Sequence, residues 1–179
     1  PAYPADSPIL ACVQAAQGCG RTPSAYLGGI MPACQLPDRA LLRLSGADTR
    51  PLLQGLLTQD VVALSAEQPL YAGLLSPQGK ALFQLFLFAD GEDVLIDVAA
   101  DGAEALARRL AMFRLRKQVA ISPEPALAVW QAWGEARNDP RTPLAGSRFL
   151  AAPGGSTLLP EWHAHRLALH QDVDSVTIE

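Results

Sequence analysis

Apolar residues recur in two different patterns between residues 40 and 133, and each pattern predicts a different element. Short apolar runs that are bounded by Gly, Pro, Asp or Ser are typical of β-strands. The run that starts at residue 80 is apolar at both of its alternating sets of positions apart from Gln84, which predicts a strand covered on both faces. Runs of this kind predict strands at residues 40–44, 70–75, 80–88, 94–98, 118–122 and 127–133.

Two other stretches show the spacing of helices that bury one side. The first helix is predicted after Ser45 and Asp48, whose separation is that of a capping box, with Pro51 near its first turn. The second helix is predicted to be capped by Asp101 and Glu104. The stripes predicted to be buried are Leu52, Leu53, Leu56 and Leu57 in the first helix and Ala103, Leu106, Ala107 and Leu110 in the second.

The order β-α-β-β-β-α-β predicts an α+β fold, a mainly antiparallel sheet with its helices packed on one face, followed by a partial second domain. We expect the α+β domain at residues 36–125. Residues 126–179 are expected to begin a second, incomplete α+β domain, with a helix from residue 160 onward. Residues 1–35, rich at first in Pro, Gly, Ala and Ser, are expected to form an irregular or non-native extension, and Met31 is a candidate natural start.

Bulk composition excludes several classes of protein. Of the 179 residues, 49% are apolar and 18% are charged, which supports a substantial core and argues against wholesale disorder. A net charge of −4 argues against broad electrostatic binding to nucleic acid. Because no apolar run approaches the roughly 20 residues of a membrane-spanning helix, we expect no membrane association.

The cysteines and histidines predict neither a disulfide framework nor a metal site. Cys12, Cys19 and Cys34 form no C-x-x-C pair and are odd in number, which favours a reducing compartment. His163 and His165 are two residues apart, so on a helix they point to different sides. No Ser/His/Asp or Cys/His nucleophile arrangement is legible, and no catalytic residue is assigned.

Polar residues at the end of the first predicted helix are candidates for ligand binding. Gln54 and Thr58 are four residues apart and share one helix face, and Asp60 follows closely. An amide and a carboxylate placed there are suited to a polar heterocycle. The alternative is that Thr58 and Asp60 terminate the helix through local hydrogen bonds to the backbone.

The turn before the longest predicted strand carries a single lysine. Residues 76–79 have the composition of a tight turn, and Lys80 follows. The region is not a P-loop, because Gly73 is one residue too far away and Ala81 replaces the hydroxyl residue that binds magnesium. Lys80 is therefore either a solvated turn residue or a contact for an anion or carboxylate.

A cluster of cations stands out against the acidic whole. It favours a solvated helix face whose last-turn cations suit the negative end of the helix dipole. The alternative is an anion site for a polyglutamate tail, RNA or an acidic partner. The cluster consists of Arg108, Arg109, Arg114, Arg116 and Lys117.

The chain resembles the YgfZ-type branch of the GcvT-like folate-binding family in four strings: LLRLSGADTRPLLQGLLTQDV, YAGLLSPQGKALFQLFLF, LARRLAMFRLRKQVAI and DPRTPLAGSR. Members of that family support iron–sulfur cluster assembly and tRNA modification. The resemblance implies tetrahydrofolate or a derivative as cofactor, and iron–sulfur enzymes or assembly proteins as partners. It implies a bacterial cytoplasmic location, or the mitochondrial matrix in a eukaryote. The pocket or pocket-wall residues are predicted to be Gln54, Thr58, Asp60, Tyr71, Lys80 and, as a carboxylate contact, Arg116.

Two departures from the family narrow the expected function. The related aminomethyltransferases carry an acidic residue just after the turn, whereas residues 81–85 contain no carboxylate to act on a folate amine. The family's K-G-C-Y-x-G-Q-E motif is also absent, so we expect the chain to be part of a longer protein. The leading hypothesis is a folate-binding accessory protein that is not a self-sufficient catalyst. The alternatives are an aminomethyltransferase-like one-carbon enzyme and a scaffold whose basic helix docks a partner protein.

Overall fold

The structure is a computed structural model that describes residues 25–27, 31–133, 139–154 and 158–168. Its contacts divide the chain into two compact units, one drawn from residues 1–37 and 126–176, the other from residues 38–125 and 177–179. The strands are β1 (Ala25–Leu27), β2 (Met31–Gln35), β3 (Arg39–Ser45), β4 (Leu70–Leu75), β5 (Ala81–Asp90), β6 (Asp93–Ala99), β7 (Ala120–Pro123), β8 (Ala128–Ala132) and β9 (Ser147–Ala151). The helices are α1 (Thr49–Gln54), α2 (Ala103–Arg114) and α3 (Leu159–Ala168).

The unit at residues 38–125 is an antiparallel five-stranded sheet with strand order β4-β5-β6-β3-β7. Side chains alternate between the two faces of each strand, so one alternate set from every strand meets the helices. Leu53 of α1 and Leu106 and Leu110 of α2 belong to the same buried core as Leu42 and Ile96 of the sheet. The predicted α+β class, with helices on one face of an antiparallel sheet, is confirmed.

Helix α1 is shorter than its leucine pattern predicts. It ends at Gln54, and Leu57 instead forms an isolated bridge with Leu74 at the edge of β4. The predicted capping box is also wrong, since Asp48 caps no helical N–H and its Oδ2 accepts a hydrogen bond from Gln118 N at 2.7 Å. At each end of α1, a residue distant in sequence therefore makes the contact that was predicted to be local: Gln118 at the start and Leu74 beyond the end.

The backbone at Gln118, which donates to Asp48, also explains why residue 46 is a glycine. Gly46 has φ +119°, and a Cβ there would lie 2.2 Å from the carbonyl oxygen of Gln118. Only glycine permits this approach of the two backbones without a shift. The β3–α1 turn and the segment that leads into β7 therefore lie side by side, linked through main-chain atoms.

The other unit contains a four-stranded antiparallel sheet with strand order β1-β2-β8-β9. An irregular extension was expected over residues 1–35, and that expectation is wrong for β1 and β2. Ala33 of β2 pairs with Ala132 of β8, a partner far along the chain that no local pattern reveals. The predicted domain bounds at residues 36–125 and 126–179 remain a prediction.

A buried polar cluster in this unit accounts for the string DPRTPLAGSR. Arg141 donates to Asp139 through Nη2 at 2.8 Å and Nε at 3.0 Å, and Gln131 Nε2 donates to the carbonyl oxygen of Ala145 at 2.9 Å. Gly146 has φ +90°, where a Cβ would lie 2.1 Å from a backbone oxygen. These contacts give the string a structural role in shaping the loop before β9.

Candidate functional site

The sheet face opposite the two helices of the 38–125 unit carries an ion pair beside two aromatic rings. Arg39 Nε donates to Asp97 Oδ1 at 2.7 Å, and the two side chains are 10% and 0% exposed. The Arg39 guanidinium carbon lies 5.7 Å from the centroid of the Phe86 ring. The Tyr71 and Phe86 centroids are 5.0 Å apart with the rings tilted by 44°. We call Arg39, Tyr71, Phe86 and Asp97 the ring–guanidinium site.

Strand register brings these four residues together. Tyr71 of β4 is paired with Phe86 of β5, which is paired in turn with Asp97 of β6. Arg39 begins β3, and its neighbour across the sheet is two residues beyond Asp97, within reach of a long side chain. The site is therefore built on four adjacent strands and needs no loop to hold its geometry.

Arg39 contributes a polar atom to this site that lacks a partner within the described part of the chain. Arg39 Nη2 is buried and has no hydrogen-bond acceptor among the residues that the structure describes. A buried donor left unpaired costs about 1–3 kcal/mol, so such atoms in native proteins call for an explanation. An acceptor supplied by a ligand would satisfy Nη2. Of the two adjacent rings, Tyr71 is partly exposed and could contact that ligand, whereas Phe86 is 2% exposed and supports Tyr71 from within.

A second charge cluster on the same face is fully paired. Arg43 Nε donates to Glu124 at 2.7 Å, and its Nη1 donates to Asp90 and Asp93 at 2.9 Å each. Burial lowers the pKa of Arg43, but the hydrogen bonds to Glu124, Asp93 and Asp90 outweigh it and raise the pKa above its ordinary value. This guanidinium clamps β3 to the β5–β6 turn and to the end of β7.

The predicted residues at the end of α1 and just after it hold a loop in place. Gln54 Oε1 accepts a hydrogen bond from Val61 N at 2.7 Å, and Asp60 Oδ1 accepts one from Val62 N at 3.0 Å. Asp60 thereby caps the short 3₁₀ turn Val61–Ala63. Asp60 therefore bonds to nearby backbone, as the alternative expects, but at the start of the 3₁₀ turn and not at the end of α1.

Thr58 and Lys80 both lie near the C-terminal end of β4. Thr58 joins the edge of that strand, where its N donates to Gly73 O at 3.0 Å and its Oγ1 accepts from Gly73 N at 2.9 Å. Lys80 closes the β4–β5 turn, because its carbonyl oxygen accepts from Ser76 N at 2.8 Å. Its side chain is exposed, and Gly79 before it has φ +81°, as a tight turn requires.

The remaining two predicted residues lie on different parts of this unit. Tyr71 belongs to the ring–guanidinium site. Arg116 lines an open hollow of about 640 Å³ together with Asp48, Leu115 and Lys117, in the segment that leads into the opposite edge strand, β7. The structure thus brings Gln54 and Asp60 to one loop but does not place all six residues around one cavity. Their assignment as folate contacts stays a prediction.

Sequence reasoning missed three members of the ring–guanidinium site. Arg39, Phe86 and Asp97 were not predicted, although Asp97 interrupts the apolar run of β6. A charged residue inside an otherwise buried strand indicates that a side chain of opposite charge lies next to it, because an unpaired buried charge is costly. The partner could not be named, because Arg39 is 58 residues away along the chain.

Comparisons with known proteins point in one direction, although no family model matches the chain. A mitochondrial IBA57 homolog of Pyricularia oryzae, named as an iron–sulfur cluster assembly factor, is 30% identical over 70% of this chain and 37% of its own length. The human mitochondrial IBA57 assembly factor is 28% identical over 87% of this chain and 55% of its own length. The Phaeosphaeria nodorum homolog is 33% identical over 74% and 35%. The chain therefore spans about half, or less, of these curated relatives.

Among solved structures, the glycine cleavage system aminomethyltransferase T of Bartonella henselae is similar in fold. The TM-score is 0.51 at 18% sequence identity, over 63% of this chain and 34% of that one. Of the helices that the structure describes, none has the length and apolar character needed to cross a bilayer. On these similarities the chain belongs to the YgfZ/GcvT-like family, which includes the IBA57 iron–sulfur cluster assembly factors.

Proposed function

We propose that this chain supports iron–sulfur cluster assembly and that it binds a reduced folate at the ring–guanidinium site. The relatives named as assembly factors support the first part. The observation that carries the second part is the buried Arg39 Nη2, which lacks an acceptor among the described residues and lies beside two aromatic rings.

The chemistry of a pterin fits this arrangement. A pterin is a planar heterocycle whose edge alternates N–H donors with carbonyl and ring-nitrogen acceptors. Its face stacks on Tyr71, since aromatic side chains prefer offset or tilted ring contacts. Its carbonyl oxygen accepts a hydrogen bond from Arg39 Nη2, whose guanidinium is already oriented by Asp97.

The predicted residues outside this site have supporting roles in the proposal. Lys80 presents an exposed ammonium group at the turn that joins β4 to β5, several residues along the strands from Tyr71, and contacts a carboxylate of the glutamate tail. Gln54, Thr58 and Asp60 form a wall by holding the loop against β4. Arg116 offers a further cation for an extended polyglutamate tail.

The accessory role defines the expected partners. Iron–sulfur enzymes or their assembly proteins are the proposed clients, and enzymes that modify tRNA are proposed to be among them. The relatives are named as mitochondrial proteins, which supports a location in the mitochondrial matrix if the source is a eukaryote. For a bacterial source the proposed location is the cytoplasm. No residue of this chain is assigned a catalytic role.

Titration calorimetry of the full-length protein with tetrahydrofolate tests the proposal. Tyr71→Ala removes the stacking surface and is expected to weaken binding at least tenfold, the equivalent of about 1.4 kcal/mol. Tyr71→Phe keeps the ring and serves as the matched control, with affinity within about twofold of wild type.

Arg39→Met provides a second arm, because it removes the proposed donor and keeps a side chain of similar length. We expect at least a tenfold loss of affinity, verified on protein that still gives wild-type far-UV circular dichroism. Absence of heat at millimolar tetrahydrofolate would refute the binding proposal. Equal affinity of wild type and Tyr71→Ala would move the ligand away from this site.

A further inference from the structure

The outer side of α2 and the start of β5 enclose a hollow of about 410 Å³. Its floor is apolar, and two of its floor residues are open to solvent, with Leu82 40% and Met112 65% exposed. Two guanidinium groups stand at its rim. We call its lining residues the α2 surface: Leu82, Phe83, Ala105, Arg108, Arg109 and Met112.

A strand irregularity explains why two successive residues of β5 reach the same hollow. In the pairing of β4 with β5, Leu74 is opposite Phe83 and Leu75 is opposite Ala81, so Leu82 is the extra residue of a bulge. A bulge turns a side chain out of the regular alternation and often lies beside a functional surface. Leu82 thereby joins Phe83 on the α2 side, where a regular strand would point it away.

The guanidinium groups of Arg108 and Arg109 at the rim differ in their hydrogen-bond partners. Arg108 donates to Glu104 at 2.7 Å in an exposed pair one helical turn apart, which stabilises little. The Arg109 guanidinium lies 5.8 Å from the Phe113 ring, and its Nε is buried with no acceptor in the part of the chain that the structure describes. The α2 surface therefore holds an unpaired donor, an apolar floor and excess positive charge together.

Charge indicates what this surface accepts. Residues 103–117 carry five cationic side chains and one anionic side chain, although the whole chain has a net charge of −4. We propose that the α2 surface docks an acidic segment of a partner protein, with one large apolar side chain in the hollow and a carboxylate on the Arg109 guanidinium. This inference does not depend on folate binding, because it uses none of the residues of the ring–guanidinium site.

A protein segment fits these features better than RNA or a membrane. RNA has no protruding aliphatic group to fill an apolar hollow, and the negative net charge of the chain opposes a long polyanion. A bilayer binds apolar residues that project from a helix, whereas this floor is recessed between a helix and a strand. A carboxylate beside an apolar side chain is an ordinary feature of protein surfaces and satisfies both requirements.

Fluorescence anisotropy with a synthetic probe tests the inference on the full-length protein. The probe is a labelled eight-residue peptide with a central Phe-Leu pair and three Asp or Glu residues on each side. Its control peptide has the same apolar pair with Asn and Gln in place of the acids. We expect the acidic probe to bind at least tenfold more tightly than the control.

Variants of the protein locate the contact. Arg108→Glu/Arg109→Glu is expected to weaken probe binding at least tenfold while tetrahydrofolate affinity is unchanged. Met112→Asp, at an exposed floor position, is expected to give the same loss, and it serves if the double variant folds poorly. Arg166→Glu reverses one cationic charge on α3 as a control and is expected to keep probe affinity within twofold.

Three results would overturn the inference. They are equal binding of the acidic and neutral peptides, unchanged probe binding by both α2 variants, and no binding of the acidic probe at about 1 mM. Tighter binding to a labelled RNA oligonucleotide or to phosphatidylserine vesicles, lost in the α2 variants, would reassign the surface to that ligand. Failure of the folate titration has no bearing on any of these readings.

Discussion

The two faces of the sheet in the 38–125 unit are built from the same strands but have different chemistry. On the helix-covered face, Leu87 and Ile96 pack with Leu106 in a continuous apolar core. On the opposite face, alternate positions of those strands supply Arg39, Asp97 and the Arg43 cluster. An apolar core tolerates substitutions that conserve side-chain volume, whereas loss of either member of a buried ion pair leaves the other charge uncompensated. The helix-covered face thus specifies the fold, and the charged face carries the candidate site.

Removal of Arg43 should have the largest effect on stability. Arg43→Met leaves the carboxylates of Asp90, Asp93 and Glu124 close together without their shared cation, and Asp90 is only 3% exposed. We expect the free energy of unfolding to fall by about 4–5 kcal/mol. Urea unfolding followed by circular dichroism measures it.

Arg43→Lys is the matched control for that variant. It keeps the charge but not the forked geometry that reaches three carboxylates, so an intermediate loss is expected. If Arg43→Met lowers the free energy of unfolding by less than about 1 kcal/mol, the charged face does not depend on its ion pairs, and the proposed difference between the two faces is wrong.

Variants of the Arg39–Asp97 ion pair compare the removal of one charge with the removal of both charges. Asp97→Leu leaves the Arg39 guanidinium buried and unpaired and should cost about 3–4 kcal/mol of unfolding free energy. The double variant Arg39→Leu/Asp97→Leu removes both charges and should recover most of that loss, since buried ion pairs are often replaceable by apolar residues. It should still fail to bind tetrahydrofolate.

The thermodynamic cycle of these variants also checks the site itself. A double variant that remains as unstable as Asp97→Leu would mean that the pair contributes to folding beyond its mutual neutralisation. A double variant that is stable and binds tetrahydrofolate normally would separate this ion pair from any ligand.

The helix-covered face should respond to volume alone. Leu106 is fully buried, and Leu106→Ala is expected to cost about 2–3 kcal/mol through lost burial and the cavity that remains. Leu106→Met conserves volume and should cost less than about 1.5 kcal/mol. Both variants should leave tetrahydrofolate affinity unchanged. Thermal and urea unfolding measure the stability changes, and titration calorimetry measures the affinity. A loss of affinity in Leu106→Ala would show that the two faces are coupled.

Local patterns were sufficient for most elements and failed where a distant partner intervenes. The strands at residues 70–75 and 94–98 and the buried stripe of α2 follow directly from apolar spacing. The leucine pattern extended α1 too far, because Leu57 pairs with Leu74 at the edge of the sheet. Strands β1 and β2 escaped prediction because their pairing with each other and with β8 is not encoded in their own spacing.

The candidate site shows the same division. Tyr71 was predicted from the family resemblance, and the structure places it against Phe86. Gln54, Thr58 and Asp60 were predicted as ligand contacts, and the structure gives their polar atoms backbone partners. Residue type and spacing identify polar groups, but they do not show which of those groups remain available to a ligand.

By itself, the sequence determined the antiparallel sheet with both helices on one face and the tight turn before Lys80. These features depend on repeats of two and about 3.6 residues, which are local and readable. Only the tertiary structure decided that Arg39 meets Asp97 and that Arg43 meets Glu124, 81 residues away. Strand register sets those meetings, and register depends on the packing of the whole sheet, which no short stretch of sequence contains.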